Sequence, residues 1–446
     1  AVAAPEVRWL ALGSGVVADP RKLLWEARPL EARGFKVIER LLLDERLMLS
    51  DLTHRLLDLA CEHYRAEVLG EPIRGTTGRG ITPAFLEENG QWQLYYASFR
   101  EDKDAFAKKL RERADRALRC IEHVYRVDAA AFGGLFDRLT EAETRANAES
   151  IEAGIFPREE FDFGRFRGSA GVSLDLDALI DAYWECGQVL RGQVADLREE
   201  LLRLLREGKS VIGEFGQAYW LDKRRGYPPN LTASHTFTPE IFESAGIPLQ
   251  PVHAIGVCKA YDTKVGTHLF LTEMPQNDAV GDFLRRVEYG TSTGRQRMVG
   301  WFDAVEKGDA LRFGGFQDLV INKLDALTQQ PDWPGSLKIC THYTDADGQR
   351  FPGVPRDDAI RARLRPHYIE TPGWAEDISP VRRFAELPAN ARRYIALMLK
   401  SICDVASRWG EYPLEIPNIR YIGVGPDPSQ IIRDIPPSEE LLQTLG

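Results

Sequence analysis

The chain is poor in the patterns that announce the commoner chemistries. Its six cysteines, at 61, 120, 186, 258, 340 and 403, include no Cys-x-x-Cys pair. Such scatter excludes a disulfide framework and a cysteine-based zinc ribbon, and it reads as reduced thiols in a cytoplasmic protein. Eight histidines show neither His-x-His nor His-x-x-x-His spacing, so no metal site is expected in this chain. No run approaches the ~18 apolar residues of a membrane span, so no membrane partner is expected. The opening AVAAPEVRWL has no basic region followed by a long apolar one, which argues against a signal peptide. Its first residue is Ala rather than Met, and a further segment is expected upstream. Basic residues number 57 against 67 acidic ones, for a net charge of −10. That balance excludes a phosphate-tracking nucleic-acid surface. There is no G-x-x-x-x-G-K-[ST] phosphate loop, and no local motif supports a Ser-His-Asp or Cys-His centre.

What remains is a chain of 446 residues, 43% hydrophobic, able to bury one large core or two ordinary ones. Short β-rich runs bounded by turns begin near Val7 (VRWLAL), Ser210 (SVIGEF), Ala254 (AIGVCKAY), Leu319 (LVIN), Leu337 (LKICTHY) and Ile419 (IRYIGVG). Helical spacing separates them. Phe106, Leu110, Ala114, Leu118, Ile121 and Tyr125 define one apolar face, and Leu190, Val194, Leu197, Leu201 and Leu205 another. A third helix is expected over 388–409, capped near Asn390, and a hairpin around 345–348. Apolar strands alternating with helices predict an α/β fold, a mostly parallel central sheet with flanking helices. Residues from about 100 to 210 are almost wholly helical and charge-rich, and read as a subdomain inserted between strands.

Three loops carry the candidate chemistry. Residues 290–297 (GTSTGRQR) crowd three hydroxyls, two glycines and two arginines into eight positions. Thr291, Ser292 and Thr293 offer short donors and acceptors, while Gly290 and Gly294 allow close backbone approach. Arg295 and Arg297 carry planar forks suited to carboxylates and phosphates. Downstream, an apolar strand runs into Asn322-Lys323-Leu324-Asp325. A carboxylate here pairs with N1–H and the exocyclic amine of guanine, and adenine would leave it unpaired. The position also suits a ligand, since α/β sheets bind at the carboxyl ends of strands. The plainer alternative is a solvated strand end. Residues 74–83 (RGTTGRGITP) form a Gly-Thr loop whose amides at Gly75, Gly78 and Gly80, with Thr76 and Thr77, suit a phosphate, although most such loops are only turns. Gln217, Thr232, Ser234 and His235 follow on further loops, each unspecific alone.

In order along the chain, these segments resemble the adenylosuccinate synthetase family, the GTP-dependent ligases that join IMP and aspartate. The matching stretches are LGSGVVADPRKLLWE, GTTGRGITPAF, GEFGQAYWLD, YPPNLTASHT, GVCKAYDTKVGTHLFLTEM, GTSTGRQRMVGWFD, NKLD, YIETPGW and GVGPD, which together span most of 7–430. The inserted helical region, especially about 128–175, is not accounted for by these stretches. The resemblance implies a P-loop-NTPase-like ligase scaffold with an inserted helical subdomain. Its parts would be an N-terminal portion of the α/β domain with the Gly-Thr loop (1–100), the insertion (101–209), and a nucleotide- and aspartate-binding portion (210–446). It further implies that Thr77, Gln217, Thr232 and Arg295 hold IMP, with Gln217 supporting catalysis on the 6-phosphoryl group. Val265, Thr291, Ser292, Thr293, Gly294, Arg295 and Arg297 would bind aspartate, with Thr267 also flanking that site. Arg297, Lys323, Asp325, Gly423 and Gly425 would bind GTP. Mg²⁺ would accompany the nucleotide, and the protein would be a cytoplasmic homodimer in purine nucleotide biosynthesis.

The departures are specific. No G-D-E-G-K-G-K loop or following G-H-N-A-G-H segment, which carry the family's base, acid and a Mg²⁺ ligand, occurs in these 446 residues. No arginine lies near Gln91, where the family's partner subunit lends one to the IMP phosphate. Ser234-His235 replaces Ser-Asn, and Gly423 replaces a serine. Two alternatives therefore stand beside the ligase: a paralogue acting on another purine-like substrate, and a non-catalytic nucleotide-binding protein on the same scaffold.

Overall fold

The computed structural model describes residues 1–265, 267–290, 294, 296–333 and 335–445. The chain divides into two compact units, one of Ala1–Arg224 with Asn230–Leu249 and one of Arg225–Pro229 with Gln250–Gly446.

The first unit is built on short parallel strands flanked by aspartate-capped helices. Strands β1 (Leu10–Leu12), β2 (Leu41–Asp44) and β3 (Val194–Ala195) pair in parallel, Leu10 opposite Leu41 and Leu43 opposite Val194. Helices α1 (Pro20–Ala32), α2 (Leu52–His63), α3 (Lys103–Arg119), α4 (Ala129–Ala146), α5 (Leu176–Leu190) and α6 (Leu197–Arg206) each begin after an aspartate whose carboxylate accepts backbone N–H groups of the first turn. Each such cap contributes ~1 kcal/mol and fixes where its helix starts. The predicted face of Phe106, Leu110, Ala114 and Ile121 is buried, and Phe106, Leu110 and Ile121 fall in one cluster with Leu43, Leu52, Leu56, Phe132, Phe136 and Tyr183. The helices of the charge-rich region therefore share a core with the amino-terminal strands. Gly187 permits this packing, since a Cβ there would lie 2.0 Å from Phe99.

Two expectations fail in this unit. The leucine spacing from 190 to 205 is not one helix, because the chain leaves α5, forms β3 and restarts at Asp196. Nor do residues 210–215 form a strand: they are extended without a ladder, and Ile212 is 91% exposed. β-branched residues make a strand only where a neighbour pairs with them.

In the second unit, β4 (Ile255–Lys259), β5 (Asp318–Asn322) and β6 (Asn418–Gly423) run parallel with β5 in the middle, and β7 (Ile431–Ile432) pairs antiparallel with β6. A separate sheet joins Ser336–Thr344 to Arg365–Pro372 in antiparallel register, and the expected hairpin forms between Ser336–Thr344 and Arg350–Phe351. Helix α7 (Ala304–Gly314) packs on α8 (Ala389–Ala406), whose Tyr394, Ile395, Met398, Leu399 and Ile402 enter the core with Ile321 and Ile422. Asn390 does not cap α8. The cap position is Pro388, and the Asn390 amide donates to the carbonyl of Gly373. The α/β class holds, with the strands shared among separate sheets rather than gathered into one.

Candidate functional site

In the second unit, parallel pairing brings the Asn-Lys-x-Asp motif to the carboxyl end of the central strand. Ala260 N–H donates to the Asn322 carbonyl (2.9 Å) and Leu324 N–H to the Gly423 carbonyl (3.1 Å), so the ends of β4 and β6 brace the motif from both sides. Gly423 lies close beneath it, since a Cβ there would stand 2.8 Å from the Asn322 side-chain oxygen. Gly425 follows in a turn closed by Val424 N–H to Gln430 O at 2.9 Å. Lys323 adopts φ 59°, a left-handed conformation that costs a lysine ~1 kcal/mol or more and recurs at ligand sites. Asp325 is half-buried and has no side-chain partner among the described residues. Burial raises its pKa above 3.8, against the lowering pull of nearby backbone N–H groups and Lys323.

Sequence reasoning missed the centre of this region. The buried carboxylate of Glu288 accepts from Lys323 Nζ (2.8 Å), Lys259 Nζ (2.8 Å) and the Tyr261 hydroxyl (2.5 Å). Burial alone would raise its pKa, but these three donors prevail and hold it at about 2. For Lys259 the balance falls the other way. Burial depresses its pKa, Glu288 opposes this, and the neighbouring positive charges of Arg297 and Lys323 add to the depression. The available signal was a charged residue at the end of an apolar strand (Lys259) and another just before a Gly-rich loop (Glu288).

The anion loop starts from that glutamate. Arg297 N–H donates to the Glu288 carbonyl (3.1 Å), Tyr289 pairs with Gln296, and Gly294 N–H donates to Gly290 O at 2.7 Å. Arg297 is half-buried, and its buried Nε has no hydrogen-bond partner among the described residues. Thr291, Ser292, Thr293 and Arg295 lie outside the described residues. Val265 is exposed, as is Thr267.

In the first unit the Gly-Thr loop is held differently from expectation. Glu62 accepts from the amides of Arg74 (3.2 Å) and Gly75 (2.8 Å), and Asp58 from the Thr76 hydroxyl (2.6 Å) and the Gly80 amide (3.1 Å). The Gly78 amide donates to Thr76 Oγ1. Amides expected to cradle a phosphate thus already serve α2 carboxylates. Thr77 differs: it is exposed and hydrogen-bonded to nothing among the described residues. Beneath the loop, Arg55 donates to the Gly78 carbonyl (2.9 Å) and to Glu143 of α4 (2.8 Å), which also pairs with Arg79 and Lys22.

Gln217 is exposed with φ 73°, a second strained non-glycine residue at an expected site position. The half-buried Thr232 is fixed through its backbone, its N–H reaching Leu221 O at 2.8 Å. Nearby, the fully buried Asp222 accepts from the amides of Arg224 (2.8 Å) and Thr236 (2.9 Å), and lies 3.0 Å from His235 Nδ1. These bonds tie 221–224 to 232–236 within the first unit.

The family sequence model described as adenylosuccinate synthetase matches residues 4–177 and 155–432. An adenylosuccinate synthetase of Frankia alni is 33% identical over 429 residues, covering 95% of this chain and 84% of that protein. One from Geobacillus kaustophilus is 32% identical over 431 residues, with the same coverage of each. In fold, the chain resembles the solved structure of fully ligated adenylosuccinate synthetase from Plasmodium falciparum. The TM-score is 0.74 at 24% identity, over 95% of this chain and 84% of that one.

Proposed function

The chain belongs to the adenylosuccinate synthetase family of ligases, and on that premise we propose that it joins L-aspartate to IMP at the expense of GTP. The supporting observation is the Asn-Lys-x-Asp motif at the end of β5, braced by Gly423 and carrying a left-handed Lys323. In this reading Asp325 accepts from N1–H and the amine of guanine, while the Lys323 stem lies along the base above Gly423 and Gly425. Arg297 offers its guanidinium to the nucleotide and to the aspartate carboxylates, which Thr291, Ser292, Thr293, Gly294 and Arg295 also bind, with Arg295 reaching IMP as well. Val265 flanks the amino acid. Thr77 and Thr232 contact the IMP phosphate, and Gln217 holds the 6-phosphoryl oxygens.

The reaction runs in two displacements. The O6 of IMP attacks the γ-phosphorus as the N1 proton passes to a general base or water, and GDP leaves. The aspartate amine then attacks C6, phosphate departs with O6, and the new C–N nitrogen gives up a proton to restore the neutral 6-aminopurine. The protein's contribution is to fix three ligands and meet developing negative charge with preset donors. Among the described residues no group of carboxylate, histidine or cysteine side chains converges as a metal site, so no step is assigned to Mg²⁺. No helix among those residues is long and apolar enough to cross a membrane.

The test is direct: incubation with IMP, aspartate, GTP and Mg²⁺ should give the ultraviolet change of a 6-oxopurine becoming a 6-aminopurine. A protein that binds GTP and gives no such change with any acceptor is a nucleotide-binding member without ligase activity. The His235–Asp222 pair, standing where the family has an asparagine, favours a second reading in which the acceptor is another purine-like nucleotide. Turnover with such an acceptor and none with IMP would select it.

A further inference from the structure

Glu288 contacts no proposed ligand, yet among the described residues its carboxylate and carbonyl together reach Lys259, Tyr261, Lys323 and Arg297. Its carboxylate ties the end of β4 through Lys259 and Tyr261 to the end of β5 through Lys323, at distances of 2.5 to 2.8 Å. Its carbonyl receives the Arg297 amide and so closes the root of the anion loop. Two cations, Lys259 and Lys323, pair with this one acid, the charge of Arg297 acts on Lys259, and the Lys323 side chain is still 45% exposed. That arrangement has a consequence for binding. A lysine is a flexible stem carrying ~2 kcal/mol of rotamer entropy, much of which is lost when a base lies along it. With its ammonium tied to a buried acid and its backbone already left-handed, Lys323 has lost part of that freedom before the base arrives.

We propose that Glu288 is a positioning residue for nucleotide binding: without touching the nucleotide, it holds the Lys323 stem in place for the base and seats Arg297 at the root of the loop. The proposal rests on the reading of Lys323 and Asp325 as a guanine site. It separates two properties usually lost together. Asp325 reads the base edge, so it governs discrimination between bases. Glu288 acts through the stem beneath the base, so it governs affinity for any purine triphosphate that fits.

The experiment measures binding of GTP, of ITP (which lacks the 2-amine) and of IMP by calorimetry, in the parent and in Glu288→Gln, Asp325→Asn, Lys323→Met and the Glu288→Gln/Lys323→Met double variant. Glu288→Gln should weaken GTP and ITP alike by roughly tenfold, as expected for loss of a charge-assisted bond that preorganises the site. The ratio of GTP to ITP affinity should stay at the parent value, and IMP should bind as before. Asp325→Asn should instead collapse the ratio. In the Lys323→Met background, Glu288→Gln should cost less than half of its effect in the parent, because coupled residues are not additive. Unchanged GTP affinity in Glu288→Gln overturns the proposal, as does equal weakening of IMP or full additivity in the double variant. A parent that binds neither GTP nor ITP removes the guanine reading, and this proposal with it, before any variant is made.

Discussion

The two units hold their candidate ligand residues by different means. In the second unit, Lys323 and Asp325 follow a strand paired on both sides, and the braces at Ala260 and Gly423 are backbone bonds from adjacent strands. In the first, Thr77, Gln217 and Thr232 sit on loops organised by buried or half-buried acids: Asp58 and Glu62 under one, Asp222 under the other, and Glu143 behind the arginines. Backbone ladders survive most single substitutions. Loops hung on a few carboxylates do not, so changes in buried acids should cost the first unit stability, where in the second, at Glu288, they should cost nucleotide affinity.

The largest effect is expected at Glu143, which is 1% exposed and paired with the 3% exposed Arg55. Glu143→Ala leaves a guanidinium buried beneath the Gly-Thr loop without its counter-charge, a change that costs ~3–5 kcal/mol in comparable buried pairs. Urea unfolding should show that loss in the first unit's transition while GTP affinity stays near the parent value. A parallel fall in GTP affinity would break the comparison. Next comes Asp325→Asn, which replaces an acceptor with a donor facing the guanine amine and should weaken GTP by ~2–3 kcal/mol, roughly a hundredfold. Its thermal midpoint should hold, because the ladder around β5 does not depend on that side chain.

The same contrast explains what was legible in the sequence. Phe106, Leu110 and Ala114 repeat on one face and form the helix they predict, with Ile121 in the turn just beyond its end, and an apolar run before Asn-Lys-x-Asp locates the strand end. Periodicity and local motif suffice there because the forces are local. The leucines from 190 to 205 keep helical spacing across a chain break, and only Asp196, a cap, marks the restart. Val211 and Ile212 have strand propensity with no partner strand. The acids that occupy the amides of Gly75 and Gly80 come from 13 and 22 residues away, and no periodic pattern ties them to the loop. Glu288 is illegible for the same reason: its partners lie 27, 29 and 35 residues distant.

A smaller effect tests the acceptor loops. Thr77→Val removes the hydroxyl that is unengaged among the described residues, and should raise the acceptor KM by ~1 kcal/mol in free-energy terms with stability unchanged. Thr76→Val removes the hydroxyl already held by Asp58, and should cost ~1–2 kcal/mol of stability. Equal behaviour of the two would mean that the carboxylates beneath the loop do not distinguish them.

The smallest expected effect is one of pH, and its sign follows from the acids themselves. In the proposed guanine site Asp325 would accept both N–H groups of the base only when ionised, and burial raises its pKa above 3.8. As pH falls through that raised pKa, GTP affinity should decline, beginning at a higher pH than an ordinary aspartate would allow. Above it, affinity should be flat. Glu143 behaves oppositely. Burial would raise its pKa, but Arg55, Arg79 and Lys22 outweigh burial and lower it, so the first unit keeps this ion network, and its contribution to stability, until pH falls through that depressed pKa. Acidification should therefore cost GTP binding before it costs the Glu143 ion network beneath the Gly-Thr loop. Binding titrations of GTP and acid unfolding of the first unit check the order, and loss of both at the same pH would show that Asp325 and the Glu143 network titrate together.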